Sequence, residues 1–562
     1  MKKLINHPRA VVREMLEGLC DLHPGLALVE SENVVTRADL PACKDRLVAL
    51  ISGGGSGHEP AHAGYVGVGM LAAAVAGEVF TSPSVDAVLA AIRAAAGPAG
   101  AVLIVKNYTG DRLNFGLAAE LARAEGIPVE EVIVADDVAL RGRVPPERRR
   151  GIAGTVLVHK IAGAAASAGC TLAAVATAAR AATANLASMG VALGACTVPA
   201  AGQAGFEIGA DEIELGLGIH GEQGVERVPL TMADDVVRRL LDAITADLGL
   251  RNGERVALLV NGLGGTPPME LAIVARTALA RLRADGLVVE RAWSGNFLTA
   301  LEMPGVSLSL LRLDGERLAL LDAPAAAPAW PGSGRIDKDR QSLAVPTDTA
   351  TSPRGGVTTS ELQGPLLAIA TALEQAESEL TRLDSQSGDG DLGISMARAA
   401  EALRSVAREG GSDPSVVLAT LAARLRRAVG GSSGPFYATA LLRAARCLPA
   451  SPQRGDWAQA FQDAVTAVSD LGGAKPGDRT MVDALVPAAA TLARLQDEAA
   501  TVSTIVSAAA DAAESAAAST ASMLPQLGRS SYLGERVLGV PDPGAVAVAI
   551  WLRALARYFA GP

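Results

Sequence analysis

Five apolar runs, RLVALIS, GAVLIVKNY, EEVIVADD, RVALLVNGLGG and VSLSLLRLD, each lead into a turn rich in Gly, Asn or Asp, and all lie between about Arg46 and Asp314. Runs of this length and punctuation are the pattern of buried strands whose C-terminal ends carry loops. Helical segments alternate with them. This part of the chain is therefore expected to be α/β, in two subdomains with a boundary near residues 194–205. Beyond about Thr358 the strand signals stop. TTSELQGPLLAIATALEQAESELTRLD repeats its apolar residues at helical spacing behind a Thr/Ser N-cap and predicts one helix. Similar Ala-rich segments, broken by Gly/Pro/Asp loops, predict a helical bundle of about 200 residues. Between the two parts lies APAAAPAWPGSGRIDKDRQSLAVPTDTATSPRGG, rich in Pro, Ser, Thr and Gly and without apolar periodicity, which reads as an exposed linker. The expected order is an α/β domain over 1–322, a linker over 323–357 and an all-α domain over 358–562.

Bulk properties narrow the function classes. Aromatic residues make up only 3% of the 562 residues, so the core must be built from Ala, Val, Leu and Ile. A net charge of −10 without a long basic run argues against nucleic acid or an anionic membrane as partner. Five widely spaced cysteines without a CxxC pair suit free thiols in a reducing cytoplasm. The N-terminus lacks the apolar stretch of a secretory signal. AGAAASAGCTLAAVATAARAATANLASMGVALGA looks apolar but is Ala/Gly/Thr-rich and interrupted by Arg180, so helix and strand of a folded domain are expected there, not a membrane span.

LDSQSGDGDLGISM places Asp384, Asp389 and Asp391 within eight residues, separated by glycines and with no Lys or Arg between them. An EF-hand fails in both registers. Counting from Asp384 puts Gly388 at position five and Ser395 at twelve; counting from Asp389 puts Gly393 and Ala400 there. Magnesium prefers such hard oxygen donors and is commonly shared with substrate phosphates. No Walker A loop supplies an alternative, because GGAKPGD has Asp478 where the lysine must be. GGSSGPFYATAL, LGGAKPGDRTMVDAL and LGRSSYLGERVLGVPDPGA add three Gly-rich turns before apolar helices. In the first, Ser432 and Ser433 can reach an anion at a helix N-terminus.

In the α/β part, SGGGSGHEPAHAG follows a strand and carries His58, IVKNYTGDRLNFG carries Lys106 and Asp111, and IELGLGIHGEQG carries His220. The first is not a GxGxxG dinucleotide loop. Polar residues gathered beyond strand C-termini mark the ligand edge of α/β sheets.

Taken in order, SGGGSGHEP, KNYTGD, GLGIHGE, DxxxxGDGD, GGSSG, GAKPGDRT and GRSSYxGERxxGxxDPGA resemble the ATP-dependent dihydroxyacetone kinases in their single-chain form, over nearly the whole chain. The resemblance implies a substrate domain of two α/β parts and a nucleotide domain that is a barrel of antiparallel helices. It implies His220 as covalent hemiaminal anchor of the substrate carbonyl, Asp111 as base and His58 as hydrogen-bonding assistant. Gly53, Gly54, Gly55, Ser56 and Lys106 would line the substrate pocket. Asp384, Asp389 and Asp391 would hold two Mg²⁺ on ATP. Gly390, Leu392, Ser432, Ser433, Gly472, Thr480, Met481, Asp542, Pro543 and Gly544 would surround the nucleotide. A homodimer is implied, with the nucleotide domain of one subunit reaching the substrate domain of the other. Departures are Leu392 and Ile394 after the aspartates and Pro435 and Phe436 after GGSSG, which should reshape the nucleotide pocket. Dihydroxyacetone leads as substrate, with glyceraldehyde, erythrulose and FAD cyclisation at the same nucleotide site as alternatives. A phosphocarrier-fed transferase and a non-enzymatic sensor are the competing classes.

Overall fold

The computed structural model describes residues 2–221, 224–345, 361–496 and 499–561. It divides into two compact units, residues 1–343 and 344–562.

Among the described residues the first unit contains two six-stranded sheets. One is formed by β1 (Leu26–Leu28), β2 (Val34–Arg37), β3 (Ala49–Ser56), β4 (Ala73–Val79), β5 (Ala101–Lys106) and β6 (Val129–Val134), in the order β1-β2-β4-β3-β5-β6. Strands β4, β3, β5 and β6 run parallel. The other is formed by β7 (Leu186–Ala192), β8 (Glu212–Leu215), β9 (Glu226–Pro229), β10 (Arg255–Gly262), β11 (Val288–Gly295) and β12 (Gly305–Leu313), ordered β11-β10-β12-β7-β8-β9 and parallel only between β10 and β11. This second sheet begins at Leu186, ahead of the 194–205 stretch at which the sequence places the subdomain boundary.

Helices α2 (Val85–Ala95) and α3 (Thr109–Ala124) cover the outer face of the first sheet, and α6 (Ala233–Leu248) and α7 (Pro268–Ala284) that of the second. Between them a shared core joins both sheets to α1 (Val11–Leu22), α4 (Thr155–Ser167), α5 (Leu172–Thr183) and α8 (Gly315–Asp322). Every residue of α4 from Thr155 to Ala166 is buried. A helix packed on all sides is apolar all round, which accounts for the apolar stretch that continues into α5 and β7. No helix among the described residues is long and apolar enough to cross a membrane.

Two expectations change here. The glycines of SGGGSG do not follow a strand but lie in β3 itself, paired with β4 as Gly53↔Val75, Gly54↔Ala76 and Gly55↔Gly77. The beginning of the stretch read as an exposed linker is packed. Ala326 bridges to Val68, Trp330 is buried against Trp293 at 5.1 Å between ring centroids, and Trp293 Nε1 donates to Gly332 O (3.0 Å). Sparse apolar residues, here Ala327 and Trp330, anchor a chain that has no periodicity to betray it. The rest of the expected linker, 346–357, and the Thr/Ser cap at 358–360 lie outside the described residues.

Described helices of the second unit are α9 (Gln363–Gln375), α10 (Glu377–Ser387), α11 (Leu392–Glu409), α12 (Pro414–Ala428), α13 (Ser433–Cys447), α14 (Arg454–Gly472), α15 (Met481–Leu495), α16 (Val502–Ser519) and α17 (Pro543–Ala560). The helix expected over TTSELQG…TRLD is two helices, broken at Ala376, where ψ is 0°. From α11 to α17 each helix packs on the next, and α9 closes the ring between α17 and α11. Small side chains, chiefly Ala, let these helices approach closely. Up-and-down order fixes where the loops fall. The connections before α11, α13, α15 and α17 are separated by pairs of antiparallel helices, so all four emerge at one end of the ring.

Candidate active site

In the first unit the C-terminal ends of β3 and β5 deliver the polar groups. Lys106 ends β5 and Asp111 lies in the first turn of α3, where a helix N-terminus favours a carboxylate. Both are buried. Ser82 Oγ donates to Asp111 Oδ1 (2.5 Å), and Lys106 Nζ stands 3.7 Å from Oδ2. Lys106 also donates to Gly53 O (3.1 Å). Burial pulls the Lys106 pKa down, while Asp111 pulls it back up. The glycines are required by crowding. A Cβ on Gly53 would overlap the Val75 carbonyl, and one on Gly55 would lie 2.6 Å from Thr81 N. Ser56 donates its hydroxyl to Gly77 O (2.7 Å), so this side chain ties β3 to β4.

His58 is fully buried, and its Nδ1 lies 2.8 Å from Thr299 O. A carbonyl only accepts, so Nδ1 carries the proton and Nε2 holds the lone pair. That Nε2 has no hydrogen-bond partner among the described residues. Burial, followed by His220 and Lys106, holds the His58 pKa well below the usual imidazole range. The ring stacks on Phe80 (5.2 Å) and meets His220 edge to face (4.9 Å). Tyr108 and Phe80 flank His220 at 4.5 and 5.5 Å. Phe80 adopts φ 58°, a conformation costly for a bulky residue and typical of over-determined sites. His220 and His58, 162 positions apart, thus share one aromatic box. A cavity of about 540 Å³ lies on the α1 side of Gly54, Gly55, Glu59 and His62; His58, Lys106, Asp111 and His220 do not line it.

In the second unit, one oxygen each from Asp384, Asp389 and Asp391 can be chosen so that all three lie within 4.8 Å of one another. Asp384 closes α10 onto α11 by accepting from the backbone N–H groups of Asp391 (2.9 Å) and Leu392 (3.2 Å). Gly390 at φ 79° makes this turn. The donors are hard, clustered oxygens, with Asp389 and Asp391 exposed, and they fit magnesium. A cation already answers the charge: the Arg529 guanidinium, from the loop between α16 and α17, pairs with Asp389.

The other Gly-rich loops lie at the same end of the ring. Ser432 is exposed at the N-cap of α13 and its side chain makes no capping bond. Gly472, the last residue of α14, faces the Phe436 ring, which a Cβ would approach to 2.9 Å. Thr480 caps α15 with its hydroxyl accepting from Val482 N (3.2 Å), while Asp483 accepts from Thr480 N (2.7 Å). Asp542 caps α17 by accepting from Ala545 N (2.8 Å), and burial pushes its carboxyl up to about 6. Pro543 and Gly544 follow in the first turn, and Gly544 lies next to Met481. Leu392 packs into the core, so only its backbone faces the loop, whereas Ile394 is exposed. Pro435 is exposed beside Ser433.

Sequence reasoning missed Phe80, Ser82, Tyr108, Thr299, His62 and His159 around the first cluster and Arg479 and Arg529 around the second. Tyr108 and His62 lie inside the quoted motifs, and in a chain with five tyrosines and six histidines their rarity was the available signal. Arg479 is buried with Nε and Nη1 unpartnered among the described residues and Nη2 donating to Val540 O (2.9 Å).

Comparison with known proteins follows the same division. A Dak1 domain matches residues 17–329 and a DAK2 domain residues 386–557. "Triokinase/FMN cyclase" of Bos taurus is 43% identical over 569 residues, covering 99% of this chain and 98% of the relative. "Dihydroxyacetone kinase" of Citrobacter freundii is 38% identical over 566 residues, covering 98% of each. The crystal structure of the C. freundii enzyme in complex with AMP-PNP and Mg²⁺ is similar at a TM-score of 0.63 and 36% identity, covering 99% of both chains.

Proposed function

The chain belongs to the dihydroxyacetone kinase family, and from that premise we propose that it transfers the γ-phosphoryl group of ATP to a terminal hydroxyl of dihydroxyacetone. The observation that carries this reading is the aromatic box in which His220 meets His58 at 4.9 Å. An imidazole there, beside a second one with an unpaired Nε2, suits capture of a carbonyl, which a simple polyol lacks.

The neutral His220 nitrogen adds to the C2 carbonyl. A C–N bond forms, the carbonyl oxygen takes up a proton and the imidazole gives up its own. His58 supports the new hydroxyl through Nε2. Gly53, Gly54, Gly55 and the Ser56 backbone line the substrate, and Lys106 offers its ammonium to a substrate oxygen. Tethering brings a terminal hydroxyl to Asp111, which removes its proton as the oxygen attacks the γ-phosphorus and ADP departs. Asp384, Asp389 and Asp391 would hold magnesium, which supplies charge neutralisation on the phosphates. Two ions suit three carboxylates. Gly390, Leu392, Ser432, Ser433, Gly472, Thr480, Met481, Asp542, Pro543 and Gly544 form the nucleotide site in this reading. Thr480 and Leu392 contribute through their backbones, because the Thr480 hydroxyl caps α15 and the Leu392 side chain is in the core.

Glyceraldehyde and erythrulose present the same carbonyl and are read as further substrates. Distinguishing one CHOH unit in a pocket is worth about 1–3 kcal/mol. The name of the Bos taurus relative includes FMN cyclase, which supports FAD cyclisation as a second reading at the same nucleotide site. We read the assembly as a homodimer in which the nucleotide unit of one subunit serves its partner, and the location as cytoplasmic, in keeping with five cysteines that form no disulfide. A crystal soaked with dihydroxyacetone tests the central claim. Continuous density from the His220 ring to C2 is expected; non-covalent sugar, or an adduct on His58, overturns it.

A further inference from the structure

Four of the chain's six histidines gather in the middle of the first unit, and the chemistry above uses only His58 and His220. The other two form a line with Lys106. Lys106 Nζ lies 3.0 Å from His62 Nε2, and His62 Nδ1 lies 2.9 Å from His159 Nε2. All three side chains are buried.

With Lys106 as an ammonium, their hydrogen-bonding capacities leave one arrangement. An ammonium can only donate. His62 Nε2 therefore accepts from Lys106, and the His62 proton sits on Nδ1. From there it is donated to His159 Nε2, which leaves the His159 proton on Nδ1, a buried atom with no hydrogen-bond partner among the described residues. Ser52 donates its hydroxyl proton to Ile104 O (2.7 Å), so at 3.5 Å from His62 Nδ1 its oxygen can only accept, which favours the same tautomer, and His159 Nε2 at 2.9 Å is the nearer acceptor. Burial, reinforced by the Lys106 charge, holds both rings neutral: His62 falls well below the usual range and His159 to about 3. Lys106 thus spends one N–H on His62 and one on Gly53 O. Its third is left on the side of Asp111 Oδ2, which at 3.7 Å is beyond hydrogen-bond range. That N–H is the one left for a substrate oxygen.

We propose that His62, fixed in its Nδ1–H tautomer by His159, is a positioning residue that holds the Lys106 ammonium off Asp111 and directs it to the substrate. This rests on the kinase reading above. Without the acceptor at His62, the released N–H turns to the nearest carboxylate, Asp111. The base is then engaged by Lys106 instead of the substrate hydroxyl. Turnover falls, whereas capture by His220 does not depend on the relay.

The test compares His62→Phe, which removes the acceptor at similar volume, with His62→Gln, which restores one. With ATP, Mg²⁺ and dihydroxyacetone, His62→Phe is expected to lower kcat by about tenfold to a hundredfold, as for loss of a hydrogen bond to a charged group, with KM within about threefold. His62→Gln should recover most of kcat, and His159→Phe should fall between. Selective ¹⁵N-histidine NMR of the unmodified full chain reads the His62 tautomer without any assay. An Nε2-protonated His62, equal losses in the Phe and Gln variants, or a raised KM at unchanged kcat overturns the relay. Absence of ketose phosphorylation by the unmodified chain sinks the kinase reading instead, and the tautomer still decides the relay.

Discussion

Gly54 and Lys106 compete for one volume: a Cβ built on Gly54 overlaps the Lys106 ammonium and comes within 3.5 Å of Asp111 Oδ2. Gly54→Ala must therefore displace Lys106 from the substrate site. The expected result is a loss of kcat/KM for dihydroxyacetone of about tenfold to a hundredfold, while ATP binding is unchanged, because the loops proposed to bind the nucleotide lie in the second unit. Steady-state kinetics beside a calorimetric ATP titration checks both halves. Unchanged kcat/KM removes Lys106 from the site.

The aspartate loop should matter for chemistry and little for folding. Asp389 and Asp391 are exposed and contribute little to packing. Asp389→Asn or Asp391→Asn should cut Mg²⁺-dependent ATP binding and kcat by at least about tenfold while shifting stability by no more than about 0.5 kcal/mol. Full turnover in the double variant would exclude the magnesium cradle.

Three substitutions at the proposed sugar site should part company. His220→Ala loses the covalent adduct and relaxes discrimination against glycerol. Asp111→Asn keeps the adduct but loses turnover by about a hundredfold or more, in the range of general-base removal. His58→Asn lies between. Native mass spectrometry of the adduct, read beside kcat, separates the three; identical behaviour of all three contradicts the assigned roles.

How legible was this in the sequence? Punctuated apolar runs located β3, β5, β6, β10 and β12, because buried strands need nothing outside their own composition. The short or mixed strands β1, β8 and β9 carry no such run and depend on their neighbours. His58 and His220 stood out because each sits in a glycine-flanked loop, and Lys106 and Asp111 because they lie at the end of an apolar run and just after it. Phe80, Ser82 and Thr299 did not, since their role comes from contacts made across the fold. His159 was hidden inside a helix that is buried from Thr155 to Ala166. Arg529 reaches Asp389 only because the helical ring returns its loops to one end, a closure that no local pattern announces.

The stretch from Ala323 onward shows the same limit and gives a test. Ending the first unit at residue 322 removes Trp330 and its packing on Trp293. A fragment of residues 1–322 should be less stable than one of 1–343 by about 3–5 kcal/mol, the usual cost of deleting a buried Trp. Thermal melts of the two fragments decide it; equal midpoints would restore the linker reading for this segment.

Acid should loosen the first unit through its buried imidazoles. The pKa of His159 is lowered to about 3, chiefly by burial and then by Lys106, whereas an unfolded histidine titrates near 6.5. Below about pH 6.5 the unfolded chain takes up a proton that folded His159 refuses, so stability is lost as pH falls and is fully present above that value. The slope approaches about 1.4 kcal/mol per pH unit. His159→Phe removes this term. Whatever constant cost the substitution adds, the stability gap between unmodified and variant 1–343 fragments should shift in favour of the variant by about 2 kcal/mol between pH 7 and pH 5. Urea titrations at the two pH values measure that shift. A gap independent of pH would mean that His159 titrates normally, and the neutral relay from His159 through His62 to Lys106 would lose its basis.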